Sequence, residues 1–365
     1  MSFTVRLPPH PLLAFVLTLP ACSSGAPSSD GAASSATSAA PPASAASEPA
    51  PPEGFDPAIA EALETLAKCT QPRDQSVLDA DGKITLEQLA AGICVHDLAW
   101  DKLHDRLKAE QDFLRTTELR LGRTCSTKLG HASPWVRSAA YRCVAKHPDG
   151  VMDHRATLDR TLAALAEEKD RDVRRAMWEV VRSLDATKHA LAARAVELAR
   201  KESGDASVLE AAVEALLPSS DYLPTAPEAL AYAKELAAKG SVGDDLTKLV
   251  LHAAIVPAEA CAIFEAMLGA EGPEWHAGLE GMDGVHGDCR ASSAKAVDAI
   301  VARVELAQSK PEAWSRDANY ALKWGVDVFA AADKPRLRAA LAKLSPEQRK
   351  GYGGDEIESV LEKLR

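Results

Sequence analysis

The sequence predicts an all-α fold, a right-handed α-solenoid of helix pairs with extra helices at both ends. Three observations predict it. The composition comes first: 46% of the 365 residues are hydrophobic but only 5% are aromatic. An excess of Ala, Leu, Glu, Lys and Arg favours helices packed closely through small residues over a large sheet. Second, the stretch Asp170 to Leu184 places Val173, Ala176, Met177, Val180, Val181 and Leu184 at i, i+3, i+4, i+7, i+8 and i+11. That spacing puts them on one helix face and leaves Arg174, Arg175, Glu179 and Arg182 outside it. Third, the same template recurs at Val136/Ala139/Ala140/Cys143/Val144, Val208/Ala211/Ala212/Ala215/Leu216 and Leu246/Leu249/Val250/Ala253/Ala254. The four starts are 37, 35 and 38 residues apart. A helix pair repeated at that period is the signature of an α-solenoid, because each pair buries its apolar face only against its neighbours.

From the N-terminus, residues 1–22 form a targeting segment. Arg6 is followed by the apolar run Leu12 to Leu19, too short to span a bilayer. The run ends in Leu19-Pro20-Ala21-Cys22, which resembles the lipobox of bacterial lipoproteins, with Pro20 a departure from the usual pattern. The resemblance implies acylation of Cys22 and a membrane anchor through it. Several chains on one residue hold a membrane stably where a single chain does not. Ser23, rather than Asp, after that cysteine implies the outer membrane by the same family's sorting. Residues 23–54 are almost wholly Ser, Ala and Pro, with no pattern that could pack, and read as a disordered tether. At about 5–6 Å × √n such a tether spans roughly 30 Å.

An N-terminal helical region covers 55–132. Its first helix, 55–69, sets Ile59, Leu63 and Leu66 on one side. Leu78 to Leu89 then resembles part of an EF-hand loop through Asp79, Asp81, Gly82 and Ile84. Val77 and Gln88 stand where two essential carboxylates belong. A capped helix explains more of these residues. Thr85 caps, Gln88 completes a capping box, and Ile84 and Leu89 form the hydrophobic staple. A helical segment from Val95 to Leu121 follows, in which His96 and His104 could share a face.

Helix pairs are expected over 133–268. Second helices are expected at Leu158/Leu162/Leu165/Ala166, Leu191/Ala195/Leu198/Ala199, Ala229/Tyr232/Ala233/Leu236/Ala237 and Ala260/Ile263/Phe264/Met267/Leu268. Ser133-Pro134 and Thr225-x-x-Glu228 read as helix starts. At Val136-Arg137 and Val173-Arg174, with Asp170 and Asp172 ahead of the second pair, the chain resembles HEAT repeats. Leu209 and Thr247 replace the arginine in the other two repeats. That resemblance implies a curved surface used to bind peptides or partner proteins. Residues 269–290, rich in Gly and carrying Trp275, His276, Asp283, His286 and Asp288, read as an irregular loop. The C-terminal helices fill 291–365, with a helix start at Ser345-Pro346-Glu347-Gln348.

Six cysteines follow Cys22: Cys69, Cys94, Cys125, Cys143, Cys261 and Cys289. An exported chain meets an oxidising compartment, where six cysteines allow 15 connectivities. Sequence order offers the local pairs 69–94, 125–143 and 261–289. The alternative is buried thiols, Cys143 lying on the apolar face of its helix.

A net charge of −11 argues against nucleic-acid binding, and Arg171, Arg174 and Arg175 read as a solvated helix face. No nucleophile elbow, dinucleotide fingerprint, P-loop or zinc spacing occurs. No residue is therefore assigned as catalytic, cofactor-binding or metal-ligating. The expected function is a membrane-anchored cell-envelope lipoprotein presenting its solenoid to an unidentified protein partner, without enzymatic activity. The rival expectation is an envelope enzyme or metal site around 269–289, built on His276, His286 and Asp288. The His147-Pro-Asp149-Gly-Val-Met-Asp153-His154 turn is a weaker metal candidate.

Overall fold

A computed structural model describes residues 53–69, 84–110, 115–202, 204–219, 223–272, 274–285 and 288–365. Cys22, residues 23–52 of the expected tether and the Asp79, Asp81 and Gly82 stretch lie outside the described residues, while Glu53 and Gly54 form a turn in which the Glu53 carbonyl accepts from Arg123. The fold is all-helical, with no strand among those residues. None of its helices is long and apolar enough to cross a membrane.

The eighteen helices of the described residues begin with α1 (Pro57–Thr65), α2 (Leu86–Ala90), α3 (His96–Glu110) and α4 (Arg115–Ser126). Helix α1 starts at Asp56, whose carboxylate accepts from the Ala58 N–H, and it buries Ile59 and Leu63. Helix α2 has the reciprocal box, with Thr85 accepting from the Gln88 N–H and the Gln88 side chain from the Thr85 N–H. Ile84 and Leu89, the staple residues, are both buried.

Helices α5 (Pro134–Lys146), α6 (His154–Leu165), α7 (Arg171–Leu184), α8 (Ala192–Ala199), α9 (Ala206–Glu214), α10 (Pro227–Ala238), α11 (Asp244–Leu251) and α12 (Pro257–Leu268) follow. The apolar stripe of α7 is buried throughout. Trp178, outside the sequence template, is buried too, because its indole N–H donates to Glu202 at 2.9 Å. The template overruns in two places: α9 ends at Glu214 and α11 at Leu251, so Ala215, Leu216, Ala253 and Ala254 lie beyond them. Thr225 is no capping-box residue. Helix α10 starts from Ala226 with Pro227 in its first turn, and the Thr225 hydroxyl donates to the Leu249 carbonyl at 2.8 Å.

Each helix packs on the next but one. The odd series α5, α7, α9 and α11 stacks in order, and so does the even series α6, α8, α10 and α12. This pattern continues beyond residue 268 through α13 (Ala277–Gly284), α14 (Ser293–Ser309), α15 (Arg316–Gly325) and α16 (Lys334–Leu341). Helices α17 (Pro346–Arg349) and α18 (Glu356–Lys363) close the chain, α18 against α15. The irregular loop expected over 269–290 is corrected by α13. Its glycines read as breakers, yet Gly278 and Gly281 sit inside a helix where α12 comes too close for a side chain. A Cβ at Gly278 would lie 2.6 Å from the Phe264 carbonyl oxygen, and one at Gly281 would lie 2.3 Å from the Phe264 ring.

Polar groups hold the stack in register. Arg137 forms a two-pronged pair with Glu168, and Arg174 with Glu202, each arginine also donating to turn carbonyls. The Val-Arg pairs are therefore structural braces. Asn319, fully buried, accepts from the Trp314 indole at 2.7 Å and donates to the Gln348 and Lys350 carbonyls at 2.8 Å. Ser345 and Gln348 form the expected capping box at α17.

The six cysteines pair locally: Cys69 with Cys94, Cys125 with Cys143 and Cys261 with Cys289, at Cα separations of 5.7, 6.1 and 5.3 Å.

Candidate functional site

The two helix series carry charge differently. Along the even series, cations and carboxylates join successive helices: Arg194 with Asp159, Arg200 with Glu235, Lys234 with Glu259, Lys295 with Glu265 and Arg336 with Asp298. These pairs, 25 to 38 residues apart in sequence, hold successive even helices in step and leave that face near neutrality. Each such exposed pair contributes at most about 1 kcal/mol.

The odd series is different. Helices α9, α11, α13 and α15 line a cavity of about 1020 Å³, with the turn at 240–243, Gly272, Glu274 and the segment before α18. Its wall holds Glu210, Asp244, Asp245, Glu274, Glu280 and Asp317 against a single cation, Lys248. That lysine is already held by Asp245 at 3.2 Å. Asp317 accepts the Tyr352 hydroxyl at 2.7 Å. Glu210, Asp244, Glu274 and Glu280 have no ion-pair partner among the described residues.

Local structure explains how these groups converge. Helix α10 ends on Gly240, whose φ of +80° suits glycine. The Ser241 N–H reaches back to the Leu236 carbonyl and the Gly240 N–H to that of Ala237, the paired bonds of a Schellman turn. That turn delivers the chain through Gly243 into α11, whose first residues are Asp244 and Asp245. Gly243 in turn lets the Glu274 carboxylate approach: a Cβ there would lie 3.0 Å from its oxygen. The turn before Glu274 is anchored from behind by the buried Arg303, which donates to the Ala270 and Glu271 carbonyls and lies over the Trp275 ring.

Crowded carboxylates in a partly desolvated wall resist ionisation. Burial, then the charges of Asp244 and Asp317, push the Glu280 carboxyl up to about 7. Partial burial, then Glu210 and Asp244, raise Glu274 as well. The sign for stability follows from linkage. Glu280 binds its proton more tightly in the folded chain than in the unfolded one. Its contribution is therefore full below about pH 4.5 and is lost as pH rises through about 7. Glu280→Gln is expected to remove that dependence and to raise stability at pH 8 by about 1 kcal/mol, after allowance for solvent screening. Paired melts at pH 5 and pH 8 check this; a variant less stable than the parent at pH 8 contradicts it.

His276 completes the wall. It is 8% exposed, and its Nδ1 is buried with no hydrogen-bond partner. At one end stand exposed aromatics. Tyr320 and Tyr352 line the cavity at 46% and 67% exposure, and Trp324, 57% exposed, lies edge-on to Tyr320.

Of the residues singled out in the sequence, His276 is in this site. Asp288 begins the short turn holding Cys289 and is not part of the wall, while His286 lies outside the described residues. The 147–154 turn is engaged otherwise. His147 meets His104 ring to ring, Nε2 to Nε2 at 3.1 Å, and Asp153 caps α6 through the Ala156 N–H. Among the described residues no three His, Cys, Asp or Glu side chains come together to hold a metal ion. The sequence reading missed Glu210, Asp245, Glu280 and Asp317. A signal was there: they follow one another at 35, 35 and 37 residues, the period of the helix pairs.

Comparison with family models, with curated proteins and with solved structures returns no match.

Proposed function

We propose that the protein is a cell-envelope lipoprotein, anchored through Cys22, whose tether presents a right-handed α-solenoid of HEAT-like helix pairs as a protein-binding module. The observation that carries the binding reading is the cavity across α9, α11, α13 and α15. Four stacked helices from one series form a continuous wall with unneutralised charge, while the other series neutralises its own. A surface assembled from repeats is what such arrays use to engage extended partners. The address rests on the order of features: apolar run, Cys22, then a tether with no packing pattern.

Two measurements test this. Cys22→Ala is expected to abolish incorporation of labelled fatty acid and to move the chain from the membrane to the soluble fraction; unchanged fractionation argues against the anchor. A photoreactive residue replacing Tyr320 is expected to crosslink one defined protein in cells, and the same residue replacing Lys295 on the even series is not. Equal labelling from both positions argues against the cavity as the interface.

A second reading draws on Glu280. A carboxyl pushed up to about 7 by burial and by the neighbouring Asp244 and Asp317 can serve as a general acid, as an envelope hydrolase would need. Release of reducing ends from cell-wall glycan, lost in Glu280→Gln, would favour it.

A further inference from the structure

The cavity across α9, α11, α13 and α15 has a wall of one-sided charge. We infer that it binds an extended, positively charged peptide segment, a lysine or arginine side chain seating between Glu280, Asp244 and Asp317. This rests on the binding reading above and gives that partner its chemical class.

Four observations converge. The charge is one-sided and available, since Glu210, Asp244, Glu274 and Glu280 have no ion-pair partner among the described residues and Lys248 is held by Asp245. Carboxylates crowded in this way resist ionisation, and a bound cation relieves that repulsion, so binding energy is stored in the empty site. Independently of the acids, His276 places an imidazole nitrogen without a hydrogen-bond partner in a nine-tenths buried side chain of the wall. The imidazole borders the cavity and adds a polar edge that a peptide amide or carbonyl can meet. The aromatic end adds a third feature. Tyr320 and Tyr352 offer π-faces that attract ammonium and guanidinium groups, while the Trp324 ring beside Tyr320 already carries the Lys323 ammonium. Finally, the length fits a peptide. Four helices stacked about 8–10 Å apart span roughly 30 Å, the reach of about nine extended residues.

A single ion is the poorer occupant, because the carboxylates line the wall without gathering into a metal-holding cluster among the described residues. A glycan would use the aromatic end but leave the unpaired charge unanswered.

The test uses the full purified chain in detergent and fluorescence anisotropy of a labelled nonapeptide of alternating lysine and alanine. Glutamine-for-lysine and glutamate-for-lysine peptides, spermidine, calcium and a chitooligosaccharide serve as comparisons. The lysine peptide is expected to bind at least about tenfold more tightly than the glutamine peptide and to weaken as salt rises. Asp244→Asn with Glu280→Gln is expected to weaken it about tenfold or more, and His276→Phe to weaken it severalfold. Glu265→Gln, which breaks an ion pair on the even series, is expected to leave affinity within about twofold. Equal binding of the glutamine peptide, indifference to the double variant, or preferential binding of calcium, spermidine or glycan overturns the inference. A defined protein captured from Tyr320 in cells, with capture undiminished by Asp244→Asn and Glu280→Gln, would retain the binding reading and overturn this one alone.

Discussion

Gly281→Ala is expected to destabilise the protein by about 2–3 kcal/mol, although alanine in a helix interior ordinarily gains up to about 1 kcal/mol over glycine. The sign is set by α12. A Cβ at Gly281 would lie 2.3 Å from two atoms of the Phe264 ring, and Phe264 is fully buried, so the ring cannot swing out to solvent without losing its apolar contacts. Gly278 meets the backbone of the same helix, so α13 cannot slide to relieve the clash without closing on the Phe264 carbonyl. Gly130→Ala, where a Cβ meets nothing within 4 Å, serves as the control and is expected to change stability by less than about 0.5 kcal/mol. Urea denaturation of the three proteins decides it, and a more stable Gly281→Ala variant would refute the close approach of α12 and α13. The substitution also bears on function. Glu280 precedes Gly281 on α13, so a displaced α13 carries the central carboxylate of the cavity with it.

Loss of the Cys261–Cys289 bridge is expected to cost about 3–4 kcal/mol. The closed loop spans 28 residues, and the cross-link limits the unfolded chain in proportion to the logarithm of that length. The other two bridges close loops of 25 and 18 residues, so chain entropy separates the three by only about 0.4 kcal/mol. Position makes the 261–289 bridge the consequential one. It ties α12 to the turn after α13 and so fastens both ends of the segment that supplies Glu274, His276 and Glu280. Thermal melts of the parent and of the Cys261→Ala, Cys289→Ala variant should show that loss, and a phosphine reductant, which opens all three bridges, should lower the parent's melting temperature further. An unchanged melting temperature after verified reduction of all three bridges would contradict the assignment.

The amphipathic helices were legible because burial of an apolar face leaves a period in the sequence. The stripe Val173 to Leu184 is buried as its spacing implies, and so are the even-series stripes such as Leu158/Leu162/Leu165. Local caps were legible for the same reason, since Thr85 with Gln88 and Ser345 with Gln348 depend only on residues three apart. Thr225 failed because its hydroxyl found a tertiary partner, the Leu249 carbonyl, in place of the backbone ahead of it. The arginines of α7 read as a solvated face, yet Arg174 spends its guanidinium on Glu202 and turn carbonyls that only folding brings near.

By itself, then, the chain determined the helical class and the spacing of the apolar stripes, placed Cys22 behind an apolar run and ahead of a Ser, Ala and Pro stretch, and offered the local cysteine pairs among its alternatives. These depend on short-range periodicity and composition, which physics writes directly into neighbouring residues. Only the tertiary structure decided that the glycine-rich stretch is helix α13. Glycine costs helix stability in isolation, and only the closeness of α12 makes its missing side chain an advantage. Only it gathered Glu210, Asp244, Glu280 and Asp317, from four different helices, into one wall. The burial that lifts the Glu280 carboxyl, and the repulsion from Asp244 and Asp317 that adds to it, do not exist in the sequence; they arise from packing between residues that stand 30 or more positions apart.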